Sequence, residues 1–408
     1  MPESWKKMEI GEVGRLVTGR TPPTENPEYF GNDFPFITPG DMHQGKYVRS
    51  TTRSLSEKGA ALLSRIKVPA GSVCVSCIGW QMGEVVMTET DSFTNQQINT
   101  VVPHDEVNAS FLYYSLLPRK QQLLSLGSAA GVRTPILNKT AFSKLTLRMP
   151  EPPMQRRIGA LLSAYDDLIE NNQRRIRILE NMVRSVYREW FVHFRFPCHE
   201  NHPRVPSHLG QVPMGWKPGT IDNIAAFLSR GISPKYDDDG ESLVINQKCI
   251  RDQRLSLGPA RRQSKMIPKT RILSVGDVLI NSTGVGTLGR VAQVVDKIGP
   301  VTVDSHVTIV RPTPGTDQHY FGCALLDRET EFERLGVGAT GQTELSRRAI
   351  GQVEMIIPPL EIQTAFGGVV GPLRKAVVSY LNQNENLRVT RDLLLPRLLS
   401  GQIKLEAN

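Results

Sequence analysis

The sequence predicts an α+β protein: two tandem-repeat α/β domains joined by two long helices that pair as an antiparallel coiled coil. The first observation is a duplication. Trp5-Lys6 and Ile10 return 211 residues later as Trp216-Lys217 and Ile221, and the landmarks that follow keep their order. The second is a long heptad run after each copy, from Ile158 to Trp190 and from Phe366 to Leu398. The third is one polar residue near the middle of each run, Asn172 and Asn384, a device that fixes register and orientation in paired helices.

The first repeat, residues 1–149, opens with Trp5-Lys6 and a helix-like stretch, then reaches the turn Gly19 to Pro23 (GRTPP). Its partner turn is Arg230 to Pro234 (RGISP). Further on, GSVCVSCIGWQMGEV (Gly71 to Val85) matches GDVLINSTGVGTLGRV (Gly276 to Val291), with Gly71, Val73 and Gly79 against Gly276, Val278 and Gly284. Pro103, Leu116-Leu117 and Leu126-Gly127 return at an offset of 209 as Pro312, Leu325-Leu326 and Leu335-Gly336. Cys74 and Cys77 form a CxxC, but in an alternating, strand-like run residues three apart point to opposite faces, which suits buried thiols better than shared metal ligation.

The second copy contains Gly284-x-Gly286-x-x-Gly289, the spacing of a dinucleotide-binding turn. Such a turn needs a helix whose N-terminus faces the pyrophosphate. Here the glycines run into RVAQVVDKIGPVTVDSHVTIV, which is β-branched and strand-like. The first copy offers only Gly79-Trp-Gln-Met-Gly83. What the two copies share is a strand, a glycine turn and a strand, and no bound cofactor is expected.

Residues 150–196 carry the first heptad run: Ile158, Leu162, Tyr165, Ile169, Asn172, Ile176, Leu179, Val183, Val186 and Trp190, alternating spacings of four and three. A helix from Gln155 to Trp190 would be about 54 Å long, too long to lie on one small domain, so it needs a partner helix. A linker, 197–215, follows; its Cys198, His199 and His202 read as a solvated segment because no second ligand pair lies nearby. The second repeat spans 216–357. Residues 358–408 hold the second run: Phe366, Val370, Leu373, Val377, Tyr380, Asn384, Leu387, Arg391, Leu394 and Leu398. Pro396 lies in its last turns and should bend or end it. Both helices begin alike, Pro150 and Gln155 returning as Pro358 and Gln363.

The chain has 408 residues with a net charge of +9, a balance that fits a polyanionic partner. Five scattered cysteines suit unpaired thiols in a reducing compartment. The N-terminus has no apolar signal core and no apolar run of membrane-spanning length occurs, so a cytoplasmic protein with no membrane contact is expected. Two similar heads held apart by a stiff spacer could read two separated marks on one DNA duplex. The rival readings are a protein adaptor, whose binding would lack steep salt dependence, and an enzyme using GVGTLG.

Three long stretches carry a resemblance over essentially the whole chain: PEPPMQRRIGALLSAYDDLIENN (Pro150 to Asn172), LENMVRSVYREWFVHFRFP (Leu179 to Pro197) and RDLLLPRLLSGQI (Arg391 to Ile403). The sequence resembles the specificity subunits of type I restriction-modification systems. The resemblance implies that 1–149 and 216–357 are target recognition domains, each reading one half of a bipartite double-stranded DNA site. It implies that the helices at 150–196 and 358–408 form an antiparallel spacer docking two methyltransferase subunits. Restriction subunits, the ATP-dependent translocase and nuclease, join where the system has them. The Met154-Gln155 link is shorter than the family's usual one, whereas PPLEIQ (Pro358 to Gln363) keeps more of it.

No Asn/Asp-Pro-Pro-aromatic motif for adenine methylation is present, and no GxxxxGKS/T phosphate loop. S-adenosylmethionine is therefore expected in the methyltransferase subunit and no cofactor or metal in this chain. Phosphates are met by Lys and Arg, guanine edges by Arg, and adenine edges by Asn or Gln. On that chemistry the candidate DNA contacts in the first head are Arg20, Thr21, Lys46, Arg49, Gln81, Gln96 and Gln97. In the second they are Arg230, Gln247, Lys248, Arg261, Arg262, Lys265, Thr283 and Arg290. The expected seam centres on Ile169, Asn172, Ile176 and Leu179 against Val377, Tyr380, Asn384 and Leu387.

Overall fold

The computed structural model describes residues 5–128, 134–338, 343–403 and 405. They fall into two compact units, one of Met1–Asn172 with Gln383–Asn408 and the other of Gln173–Asn382. Each unit therefore holds one head and a stretch of both long helices.

In the first head the main sheet has the strand order Gly14–Thr18, Ile98–Pro103, Val73–Ser76, Val85–Thr88, Tyr47–Val48. In the second the order is Ala225–Arg230, Val307–Pro312, Val278–Asn281, Val291–Gln293. The arrangement is the same, less one edge strand. Each head adds a smaller sheet containing a parallel pair, Phe36 beside Phe93 in one and Val244 beside Thr302 in the other. Each is also closed by an antiparallel pair joining its first and last strands, Lys6 opposite Met149 and Lys217 opposite Ile357. The helix-like stretch after Ile10 is a single turn, Ile10–Val13, which gives way to the strand Gly14–Thr18; Leu16 and Val17 pair across to Val101 and Thr100, so sheet contacts override the local preference.

The CxxC thiols behave as strand alternation requires. Cys74 packs among Ile37, Val86 and Ile98, whereas Cys77 packs among Met82, Phe111 and Leu137. Burial pushes the Cys74 thiol up to about 12 and that of Cys77 to about 11, which leaves both unreactive near neutrality. In the linker, the ring nitrogens of His199 and His202 sit on the carbonyls of Phe196 and Met214. No metal-binding group of His, Cys, Asp or Glu occurs among the described residues. Nor is any described helix long and apolar enough to cross a membrane.

The central helix spans Pro152–Tyr187 and is continued by a wider π turn, Arg188–Val192. The C-terminal helix spans Leu360–Leu399, ending three residues past Pro396. Each begins with the same clamp. The buried amide of Gln155 donates to the Pro150 carbonyl at 2.8 Å and accepts the Asn108 backbone N–H at 3.0 Å. Gln363 repeats this on Pro358 and Asp317 at 2.8 and 3.0 Å. Asn108 and Asp317 are themselves the N-caps of the helices Ala109–Leu116 and Gln318–Leu326. The landmark read as a repeat in sequence is thus a bolt between head and spacer.

Within the first unit the two helices run antiparallel. Ile158 and Leu162 share a core with Leu395 and Leu398, Asp166 pairs with Arg391, and Asn172 donates to the Asn384 carbonyl oxygen at 3.0 Å. Asn384 in turn donates to the backbone of Ile169. Both asparagines are buried, at 5% and 2% exposure, so the polar pair lies in the seam and satisfies itself rather than facing water. At the last turn Leu395 is more buried than the expected Leu394, consistent with a straight helix drifting from a strict seven-residue repeat. In the second unit the helices are again antiparallel: Val183, Tyr187 and Phe191 share a core with Phe366 and Val370, and Arg175 stacks over the Tyr380 ring. Ile176 is buried, and Leu179 and Val377 are half-buried, as is Leu387 in the first unit.

Candidate nucleic-acid interface

The glycine turns explain themselves through packing. Gly79, Gly83, Gly284, Gly286 and Gly289 all have positive φ, the region where glycine costs least. A Cβ on Gly83 would lie 2.8 Å from the Lys120 Cα, and one on Gly289 would lie 2.5 Å from the Glu333 backbone nitrogen. Each turn is thereby seated against the backbone of a helix in its own head, Lys120–Gly127 or Glu329–Arg334. Met82 fills the space over Gly127 as Leu288 does over Gly336. The strand-turn-strand reading holds in both copies, with Val278–Asn281 running into Val291–Gln293 across the GVGTLG turn.

Around these turns a common set of backbone bonds gathers several loops. Cys77 N–H donates to the Gln97 carbonyl as Ser282 N–H donates to that of His306, and Leu137 N–H donates to Cys77 as Leu345 does to Ser282. Arg20 N–H meets the Thr94 carbonyl as Ile232 N–H meets that of Val303. The site is therefore a cluster of loop ends carried by the main sheet, with a closely similar backbone in each head.

The side chains on that backbone differ. In the first head Thr21 donates to Gln96 at 2.7 Å, Asn95 donates to Gln97 at 3.0 Å, and Gln81 lies 3.0 Å from the His43 ring nitrogen. Arg20, Gln81 and Gln96 are exposed. In the second head the Gln247 amide donates to both the carbonyl and the hydroxyl of Thr283, and that hydroxyl lies 2.8 Å from His306 Nδ1. Arg230 is held by the carbonyls of Ser305 and Leu345 and by Glu344 at 2.8 Å. Arg290 donates to the Gly286 carbonyl, stiffening the turn.

Three further cations lie on the small sheet and its continuation. Arg261 stacks on Tyr236 at 3.8 Å, Arg262 donates to the Gly240 carbonyl, and Lys265 donates to that of Ser233. All three are exposed, as is Lys248. The remaining two candidates are engaged elsewhere. Lys46 is 8% exposed; its ammonium donates to Ser110 at 3.0 Å and Ser163 at 2.6 Å. Burial lowers its pKa, opposed by Asp166 and Asp167; with its ammonium on Ser110 and Ser163 it ties the head to the central helix. Arg49 makes a two-pronged pair with Glu170 of that helix and a second pair with Glu89.

Sequence reasoning missed His43 and His306. The repeat itself could have found His306, since Ile98 aligns with Val307 and the preceding residue of each copy, Gln97 or His306, closes the same backbone bond.

Comparison with known proteins fits this architecture. The model for the type I restriction modification DNA specificity domain matches residues 2–181. The chain is 25% identical over its whole length to the type I restriction enzyme MjaIX specificity subunit of Methanocaldococcus jannaschii, covering 95% of that protein. It is 35% identical over 185 residues, 44% of its length, to the HindI specificity subunit of Haemophilus influenzae, covering 39% of that protein. Its fold is similar to the S subunit of a type I restriction-modification system from M. genitalium, with a TM-score of 0.62 at 17% identity over 97% of this chain and 96% of that one. Joined to two copies of one head, each bolted to antiparallel helix segments, these likenesses make the chain similar over its whole length to the specificity subunits of type I restriction-modification systems.

Proposed function

We propose that this chain reads a bipartite double-stranded DNA target, one half with each head, and that its paired helices set the gap between the halves and dock two methyltransferase subunits. On this reading it is the non-catalytic DNA-recognition component of a complex with methyltransferase subunits, joined by restriction subunits where the system has them; its likeness to specificity subunits supports this. Methyl transfer and S-adenosylmethionine binding fall to the methyltransferase subunit. The observation that carries the reading is the repeated loop cluster: one backbone framework, built twice, presents two different sets of hydrogen-bonding side chains. Amide and Arg side chains suit base edges, and exposed Lys and Arg suit phosphates.

The contact set we propose is Arg20, Thr21, Gln81, Gln96 and Gln97 in the first head. In the second it is Gln247, Lys248, Arg261, Arg262, Lys265, Thr283 and Arg290, with Arg230 bracing the loops. Of these, Arg261, Arg262, Lys265 and Lys248 are the phosphate contacts. The test is co-expression with the cognate methyltransferase subunit followed by genome-wide mapping of methylated adenines. A split motif with a fixed gap is expected, together with binding that weakens steeply as salt rises; a continuous motif, or none, would overturn the reading.

A further inference from the structure

The tip of each glycine turn carries a large apolar residue with nothing over it. Trp80 follows Gly79 and is 79% exposed; Val285 follows Gly284 and is 85% exposed. Surface turns ordinarily carry Gly, Asn, Asp or Ser, whose side chains are at home in water. Here Met82 and Leu288, within the turns, pack inward on Gly127 and Gly336, and the outward position in both copies is hydrophobic. The neighbours are the hydrogen-bonding side chains of the candidate interface. Gln81, next in sequence to Trp80, is bonded to His43; Thr283, two residues before Val285, is bonded to His306, and Arg290 is bonded to the residue after it, Gly286. The exposed apolar group is thus repeated, rigidly mounted, and set within a polar, cationic loop cluster.

We propose that Trp80 and Val285 are apolar base-contacting residues: Trp80 lays its ring against a base step, and Val285 packs on a thymine methyl group. This rests on the DNA-recognition reading and adds its hydrophobic part. In a duplex the base faces are covered by their neighbours, so an indole reaches one by wedging into a flexible base step, and a thymine methyl is the one apolar group that the major groove offers to a small aliphatic side chain. The hydrogen-bonding residues beside each tip would then select the base while the apolar residue excludes water from the contact. Because neither side chain touches a phosphate, both should act on sequence discrimination and not on general affinity for DNA.

The test uses the full chain in complex with its methyltransferase subunit, on a duplex carrying the mapped target and on duplexes with one half scrambled. Trp80→Ala should weaken binding to the target about tenfold, leave binding to scrambled DNA unchanged, and leave the slope of affinity against salt unchanged. Trp80→Phe should retain most of the affinity. Val285→Ala should cost about threefold, in the other half of the target. A second readout needs no destabilising variant: Trp5, Trp190 and Trp216 are buried or half-buried, so the emission that wild type has and Trp80→Phe lacks reports the exposed indole. The target duplex should quench it and a scrambled duplex should not. Unchanged discrimination in Trp80→Ala, or unquenched emission on a target that the complex binds and methylates, would overturn this inference alone. A wild-type complex that does not tell target from scrambled DNA would instead overturn the DNA-recognition reading beneath it.

Discussion

The two heads share a backbone and differ in how they are fastened to the spacer. In the first, the fastening is polar. Lys46 bridges Ser110 and Ser163, Tyr114 donates to Asp166 at 2.5 Å, and Asp166 also holds Arg391 of the C-terminal helix. Burial works to lower the Arg391 pKa, but Asp166, with Asp392 adding, outweighs it and holds the pKa above the usual arginine value. In the second head the fastening is aromatic. Phe191 lies within 5 Å of both Tyr320 and Phe366, and Tyr187, Trp190 and Trp216 complete the cluster. The positions on the C-terminal helix that match Asp166 and Asp167 at the offset of 208 hold Arg374 and Lys375, cations in place of carboxylates, whose charges act on His319. Two copies of one fold can therefore keep a joint while replacing its chemistry, because the Gln155 and Gln363 bolts set the geometry in both.

The comparison can be broken most decisively at the level of the whole head. Replacing residues 1–149 by the equivalent head of a relative should change one half of the methylated motif and leave the other half and the gap intact, as read by mapping methylated adenines. A change in both halves would show that the heads do not read independently. Next come the two fastenings. Phe366→Ala should cost about 3 kcal/mol in the second unit and Asp166→Asn about 2 kcal/mol in the first, measured by denaturant unfolding with hydrogen exchange to locate the loss. Added salt should shrink the penalty of Asp166→Asn, because the attraction it removes is screened, and should leave that of Phe366→Ala unchanged.

If the bolts are equivalent, Gln155→Leu and Gln363→Leu should each cost about 1.5 kcal/mol through an orphaned backbone N–H and carbonyl, each in its own unit. A marked inequality would mean that one head relies on its fastening more than on its bolt. The smallest effect belongs to His319, whose pKa burial lowers below the usual 6.5, with Arg374 and Lys375 adding and Asp317 opposing. The unfolded chain then binds the proton more readily than the folded one, so the second unit should lose stability as pH falls below 6.5. His319→Gln should flatten that decline, as read from melting temperatures between pH 7.5 and 5.5; an unchanged slope would assign the acid sensitivity elsewhere.

The architecture was legible because the repeated landmarks are backbone requirements. Gly83 and Gly289, Gln155 and Gln363, Asn172 and Asn384 each occupy a place that few side chains can fill, so two copies diverging in everything else still agree there. The interface was legible only in outline. Lys46 looked like a phosphate contact because it stands in a basic loop, and its burial depends on serines 64 and 117 residues away in sequence. Arg49, exposed as the loop suggests, is paired with Glu170, 121 residues on. Charge is a local property of a sequence, whereas engagement of that charge is a property of the fold.

The glycine seats beneath the two turns bear on how such a protein acquires a new target. Because Gly83 and Gly289 lie against helix backbone and Met82 and Leu288 complete the seat, the load of holding each turn rests on residues that face inward. The outward residues at 80, 81 and 285 carry none of it. Mutation can therefore sample chemistry at the tips with little penalty to folding; on the base-contact reading proposed above, a lineage would explore new recognition sequences one head at a time while the scaffold stays fixed.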